Sequence, residues 1–329
     1  MNRERRLVII LAAASLLIAF VITGIYRANS LFGYGPHSRP RIAVVLKTID
    51  YRLAFWQTVK DGIDSASKDY DVVSTILGPN SETQVDDQIR IIESVIKSRP
   101  DAIVLAASDV DRLVPVAQEI RAARIPLVTI DSFIRGDLAD TKIGTDNVSA
   151  GEKAGEAILS HVGLGSRIAI MSYVQGSSTA IDREAGVRRV LEGKVKVERT
   201  YYSSGESEIA YKQTRELLQS DVDLKGIVAL NDPTTIGAAQ ALRDSGRAGD
   251  VALVGFDNSL TVLAFVESGV IRDTIVQRPF NMGYLGIKVA LDLIKGRRAN
   301  PFIDTGSQVI NFGNMLLPEN QKLIFPVSR

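Results

Sequence analysis

From Arg41 onward, short runs of β-branched and aliphatic residues alternate with stretches of helical periodicity, and this rhythm constrains the chain more than any other feature. The runs are IAVVL from Ile42, VVSTIL from Val72, AIVLAA from Ala102, LVTI from Leu127, IAIMSY from Ile168, GIVAL from Gly226 and VALVGF from Val251. None shows the polar alternation of a strand with one wet face, so each must be covered on both sides, as in a parallel sheet flanked by helices. Between them, Ser81 and Gln84 have capping-box spacing, and Val85, Ile89, Ile92 and Ile96 then recur at helical spacing to mark one buried face. The units are too many for one compact lobe, and the connection IRGDLADTK (134–142) interrupts the rhythm before a helix expected near Asn147. The fold class that follows is α/β, with two doubly wound parallel-sheet lobes after an N-terminal hydrophobic helix.

That helix is read from Arg3, Arg5 and Arg6 preceding an uncharged run from Leu7 to Ile25. At helical rise the run spans roughly 28 Å, about one hydrocarbon core. The basic end should stay cytoplasmic, placing the globular part outside the cytoplasm at the cell membrane. A cleavable signal peptide is the competing reading, since Ala28 and Ser30 form a weak small-x-small site, but the run is longer than a usual signal core. Residues 1–28 are therefore read as anchor or signal and 29–40 as a linker. Cysteine is absent, which excludes disulfides, thiolate metal sites, a cysteine nucleophile and a thioether lipid anchor. A formal charge of +1 gives no electrostatic footprint for nucleic acid.

In open α/β sheets ligands bind beyond the carboxyl ends of the strands, so polar residues that terminate apolar runs carry most weight. Lys47 ends the first run, Asp131 follows LVTI, Asn231 and Asp232 follow GIVAL, Asp257 follows VGF and Gln277 follows DTIV. Carboxylates and amides take paired hydroxyls, and Phe55 and Trp56, opening a helix, offer an aromatic face to the C–H side of a sugar ring. Each position also has a plainer role. Asp232, followed by Pro233, reads as a helix cap that leaves Asn231 free to face the cleft; Asp257 could cap a helix near Leu260, and the aromatics could be core.

The chain resembles the type I periplasmic binding proteins for ribose, galactose and related solutes, which share their fold with the ligand-binding part of LacI-type repressors. The resemblance covers roughly residues 41 to 315 and is carried by IAVVLK, FWQTVKDG (55–62), IPLVTIDS (125–132), TDN (145–147), ALNDPTTIGAAQAL (229–242) and VGFD (254–257), with Gln277 about twenty residues on. It implies that Phe55, Trp56, Asp131, Asn231, Asp257 and Gln277 line a cleft between the lobes. It also implies three chain crossings, near Asp146, Gln277 and Phe312, so that the first lobe holds 41–146 and 278–312 and the second 147–277 and 313–329. Two departures stand out. Where ribose-type members carry a sugar-clamping Arg this sequence places Ile181, followed by Asp182 and Arg183, and both of these join the candidate ligand residues. The stretch TIDYRLA after Lys47 is longer than the ribose-type pattern, and Lys47 is similar to the subset that includes autoinducer-2-binding proteins.

The function implied is an extracytoplasmic solute-binding protein that closes around a small polar ligand, a sugar or polyol, and delivers it to an ABC transporter permease. The alternative partner is a membrane sensor kinase or chemoreceptor. The expectation includes a monomer, no cofactor, no metal and no catalysis: His37 and His161 have no metal-ligand spacing, and there is no G-x-S-x-G elbow, Walker A loop or G-x-G-x-x-G after the first strand. A repressor of the same fold would need a helix-turn-helix where this chain has its hydrophobic run.

Overall fold

The computed structural model describes Thr23 and residues 39–325. Apart from Thr23, Arg39 and Pro40, the expected anchor and linker, with His37, lie outside the described residues. The rest forms two six-stranded sheets. The first holds β1 (Arg41–Val45), β2 (Val73–Leu77), β3 (Ala102–Leu105), β4 (Leu127–Ile130), β5 (Thr141–Gly144) and β11 (Phe302–Asp304). Its order is β11-β5-β4-β3-β1-β2 and all its pairings are parallel. The second holds β6 (Arg167–Ser172), β7 (Lys196–Tyr202), β8 (Leu224–Ala229), β9 (Ala252–Phe256), β10 (Asp273–Val276) and β12 (Gln308–Asn311), in the order β12-β10-β9-β8-β6-β7. It is parallel except at its edge, where β12 runs antiparallel to β10.

The helices are α1 (Ala54–Asp69), α2 (Val85–Ser98), α3 (Val114–Ala122), α4 (Asn147–His161), α5 (Ser178–Leu191), α6 (Ser207–Ser220), α7 (Asp232–Asp244), α8 (Leu260–Glu267), α9 (Pro279–Ile294) and α10 (Pro318–Ile324). They cover both faces of each sheet, as the unbroken apolar strands require. In the first strand and its extension, Ile42, Val44 and Leu46 enter the core under α1 and α9, while Ala43 and Val45 enter the core under α2 and α3. Each such branched side chain stabilises by about 1.5–3 kcal/mol when fully buried. In both lobes two helices meet backbone to backbone through glycine. A Cβ on Gly62 of α1 would lie 2.1 Å from Phe280 O of α9, and one on Gly151 of α4 would lie 2.2 Å from Arg183 O of α5. The second approach fixes the height at which Arg183 leaves its helix.

The chain passes between the sheets three times: after β5 at Thr145 and Asp146, after β10 at Gln277 and Arg278, and between β11 and β12 at residues 305–307. The last crossing corrects the boundary expected near Phe312. Ile310 is fully buried with Val276, Leu323 and Ile324, so the segment after residue 307 completes the second core and not the first. The connection 134–142 also ends earlier than its composition suggests, because Thr141 and Lys142 open β5. The three crossings are laced together by side chains. Asp304 Oδ1 accepts from Asp146 N (3.1 Å) and Gly306 N (2.8 Å), and Thr145 Oγ1 donates to Gln277 Oε1 (3.1 Å).

Candidate functional site

The carboxyl ends of both sheets face one cleft with a cavity of about 570 Å³. Of the residues singled out from the sequence, the first lobe brings Lys47, Phe55, Trp56 and Asp131 to it, and the second brings Arg183, Asn231 and Asp257, with Gln277 at a crossing. Asp182 is not among the lining residues. It is half-buried on α5, and burial followed by the facing Asp146 carboxylate raises its pKa. Ile181 is likewise outside the cavity and exposed. The helical turn aims Arg183, two positions further on, into the cleft instead, so a guanidinium lines the cavity although Ile181 stands at the position matching the ribose-type Arg.

Asp131 and Asp257 occupy matching places in the two lobes. Each follows an apolar strand, each has left-handed φ (59° and 70°), and each sends its N–H to the next strand, to Ile143 O (3.0 Å) and Ile275 O (2.9 Å). Non-glycine residues hold such φ values at some cost, tolerated best by Asp and Asn, and the twist turns both carboxylates off their strands. Their partners differ. Lys47 Nζ lies 3.0 Å from Asp131 Oδ2 with both side chains buried, and it also donates to Ser177 Oγ (3.1 Å) and Thr179 Oγ1 (3.4 Å) of the opposite lobe. Burial alone would lower the Lys47 pKa; attraction by Asp131, then Glu82 and Tyr173, outweighs it and leaves the pKa above its ordinary value. Ser177 and Lys47 thus have the spacing of a serine–lysine pair, but an ammonium held protonated cannot act as a base.

Asp257 Oδ1 accepts from Gln277 Nε2 (2.7 Å) and its Oδ2 from Asp232 N (3.2 Å). Burial raises its pKa against the opposing pull of Arg183 and of the Gln277 hydrogen bond. Arg183 donates to Asn147 Oδ1 (2.9 Å) and Leu230 O (2.7 Å) and lies over the Phe256 ring at 4.5 Å. Asn231 is the N-cap of α7, its Oδ1 accepting from Thr234 N (3.1 Å), which corrects the assignment of that cap to Asp232. Asp232 opens the helix and lines the cavity, its Oδ2 accepting from Ser259 N (3.3 Å). Burial first, and Asp257 second, push its pKa up to about 7. Ser259, and not Asp257, caps α8.

Trp56 is buried in the core on the inner face of α1 and also lines the cleft, edge-on to Phe55 with centroids 5.1 Å apart. Its Nε1 donates to Glu82 Oε1 (2.8 Å). Glu82, Tyr173, Thr179 and Asp232 are lining residues that the sequence reading did not assign to the site. Tyr173 ends the IAIMSY run and was reachable by the strand-end rule; Glu82 sits in a loop and carried no signal. The lobes meet directly at the mouth, where Val110 N donates to Gly176 O (2.9 Å) and Phe133 N to Ser178 Oγ (2.9 Å). His161 lies outside the cleft lining, its Nε2 2.6 Å from Asp273 Oδ2. No group of three or more His, Asp or Glu arranged for a metal occurs among the described residues.

Two α/β lobes joined by three crossings, with charged strand ends converging on the gap, match a known family: a model of the periplasmic binding protein domain covers residues 42–298. The chain belongs to that family. Among curated relatives of this periplasmic binding protein, the D-ribose/D-allose-binding protein of Pseudomonas aeruginosa is 30% identical over 270 residues, covering 79% of this chain and 83% of the relative. Among solved structures, an ABC transporter solute-binding protein from Agrobacterium vitis with bound D-fucose is 36% identical with a TM-score of 0.84, covering 86% of this chain and 99% of that one. A carbohydrate transporter solute-binding protein from Agrobacterium radiobacter in complex with D-arabinose is 27% identical, also with a TM-score of 0.84, over 87% of this chain and 99% of that one. Accordingly the chain is a solute-binding protein of carbohydrate ABC transport and works outside the cytoplasm; the family is one of binders, not enzymes.

Proposed function

We propose that the inter-lobe cleft binds one monosaccharide or related polyol and delivers it to an ABC transporter permease. The observation that carries this reading is the pairing of donors and acceptors across the gap. Asp131 and Asp257 are turned off matching strands to accept hydroxyls, Arg183 is a fixed donor, and Phe55 and Trp56 offer an apolar face on one side. Asn231 and Gln277 supply amides, and Lys47 joins the two walls. A neutral polyhydroxylated ring satisfies such a set without bringing an unpaired charge into a buried site. Because both lobes contribute contacts, the ligand favours the closed arrangement, and affinity depends on closure as well as on contacts. The protein acts as a monomer, held at the membrane by its N-terminal hydrophobic segment.

Isothermal calorimetry and melting with D-ribose, D-allose, D-fucose and D-arabinose test the proposal. One or more should bind and raise the melting temperature in proportion to RT ln(1 + [L]/Kd). A protein that responds to none of them, nor to a wider set of pentoses, hexoses and polyols, is not a monosaccharide receptor. For the anchor, the full chain should fractionate with membranes and a chain lacking residues 1–38 should be soluble and still bind. Recovery of a mature N-terminus near Leu31 would make the segment a cleaved signal.

A further inference from the structure

The wall of the cleft contains an ionisable side chain hydrogen-bonded to an aromatic. Glu82 lies in the loop between β2 and α2, half-buried, and its only hydrogen bond among the described residues is the one it accepts from the Trp56 indole N–H, 2.8 Å away. It lines the same cavity as Trp56 and is near enough to Lys47 to favour the ammonium. The indole is pinned at its other end. Its ring belongs to the first lobe's core cluster and lies edge-on against Phe55 at an interplanar angle of 85°. Packing along its body confines a buried flat ring to a narrow range of its two side-chain torsions, and a directional bond at its polar tip selects the setting within that range. Glu82 supplies that bond.

We infer that Glu82 is the positioning residue for Trp56: by accepting the indole N–H it fixes the ring plane that the cleft presents, and so sets how tightly the ligand is held. The inference rests on the sugar-binding reading only for its second half. Burying an indole N–H without an acceptor is costly, so loss of the carboxylate must either turn the ring or bring in water, and both change what the ligand meets. A carboxylate also serves better than a neutral acceptor here, since a charged acceptor makes the shorter and stronger bond.

Trp56 is the single tryptophan of the chain, so its fluorescence reports this one contact. The experiment compares wild type, Glu82→Ala and Glu82→Gln in the full-length protein, first without sugar. Glu82→Ala should shift the emission maximum and raise acrylamide quenching, and Glu82→Gln, whose amide oxygen still accepts, should restore both. Titration with D-ribose, D-allose and D-fucose follows. For a sugar that binds wild type, Glu82→Ala should weaken affinity roughly ten- to hundred-fold, with Glu82→Gln recovering most of it. Melting of the ligand-free Glu82→Ala protein should fall no further than the loss of one hydrogen bond allows, and Glu82→Gln should melt like wild type, separating ring position from fold. An emission spectrum and quenching unchanged in Glu82→Ala would overturn the inference. So would equal weakening in both variants, which would mean that the charge beside Lys47 matters and the indole bond does not. If no sugar binds wild type, the sugar-binding reading fails, and the sugar-free spectra still decide whether Glu82 holds the ring.

Discussion

The two lobes face each other with similar inventories and opposite states of neutralisation. The first supplies a lysine with Asp131 and Glu82, the second an arginine with Asp257 and Asp232. In the first, cation and carboxylate are already in contact, Lys47 to Asp131 at 3.0 Å, and the ammonium reaches across to Ser177 and Thr179. In the second, Arg183 spends its hydrogen bonds on Asn147 and Leu230 O, and Asp257 takes only dipolar donors from Gln277 and the Asp232 backbone. Charge on the first wall thus goes largely into holding the walls together. Charge on the second is buried without a contacting counter-ion, which is why both of its carboxylates have raised pKa values. A ligand hydroxyl therefore gains more at the second wall, where it relieves an existing penalty, than at the first, where it competes with an ion pair.

Removing one member of the paired wall should have the largest effect. Asp131→Asn leaves the buried Lys47 ammonium without a contacting counter-ion, and breaking a buried pair from one side costs about 3–5 kcal/mol. The ligand-free protein should melt far lower, and adding Lys47→Met should recover most of the loss because the stranded charge is gone. If the single variant melts like wild type, the two walls are electrostatically equivalent and the comparison fails. Asp257→Asn should do the reverse. It loses one hydrogen bond from Asp232 N and no ion pair, so melting without ligand should change little, while sugar affinity falls by about 1.5–3 kcal/mol, ten- to hundred-fold.

This asymmetry was only half visible in the sequence. The alternation of apolar runs was enough to read two doubly wound lobes, because strands covered on both faces cannot hide their composition. The strands it missed, β7, β11 and β12, are edge strands whose exposed side chains are free to be polar, and β5 is a short strand inside a polar connection. Strand-end logic found Lys47, Asp131, Asn231, Asp257 and Gln277, since the residue after a parallel strand is placed by the backbone alone. It left Asp182 and Arg183 side by side as candidates after Ile181, because which residue of a helix meets the cleft depends on the Gly151 approach between α4 and α5, and only Arg183 lines it. It also exchanged Asn231 with Asp232, as two adjacent capping residues before a proline look alike until the chain direction is known. Glu82 was out of reach altogether: its role exists only through a contact 26 positions away in sequence.

Acidity offers a gentler probe of the unpaired wall. The Asp232 pKa in the folded protein is about 7, above the ordinary carboxylate value of 3.8, so between those limits the folded state holds a proton that the unfolded chain has released. Its stabilising contribution is complete below about pH 4, declines as pH rises toward 7 and is gone above it, at up to about 1.4 kcal/mol per pH unit. Asp257, raised in the same direction, adds to the same decline. Denaturant titrations of the ligand-free protein between pH 4 and 8 should show this fall, and Asp232→Asn should flatten it. Parallel curves for the two proteins would place the titrating groups elsewhere and remove the electrostatic difference between the walls.

The smallest effect should come from a side-chain contact that joins the walls without charge. Phe133 N, in the first lobe, donates to Ser178 Oγ at the start of α5 in the second, 2.9 Å away. Ser177 is the residue at the N-cap of that helix, so the Ser178 hydroxyl does no capping and its loss should spare the fold. The bond can form only when the lobes are together, and a neutral hydrogen bond of this kind is worth about 1 kcal/mol net. Ser178→Ala should therefore draw on closure alone. Sugar affinity should fall about five-fold, melting of the ligand-free protein should be unchanged, and solution scattering at saturating sugar should still show the compact form, reached at a higher concentration. A drop in ligand-free melting with affinity unchanged would mean that Ser178 serves the second lobe's own packing. The joining of the walls would then rest on Lys47 and on Val110 N to Gly176 O, and the first wall would carry closure through its ammonium and one backbone hydrogen bond.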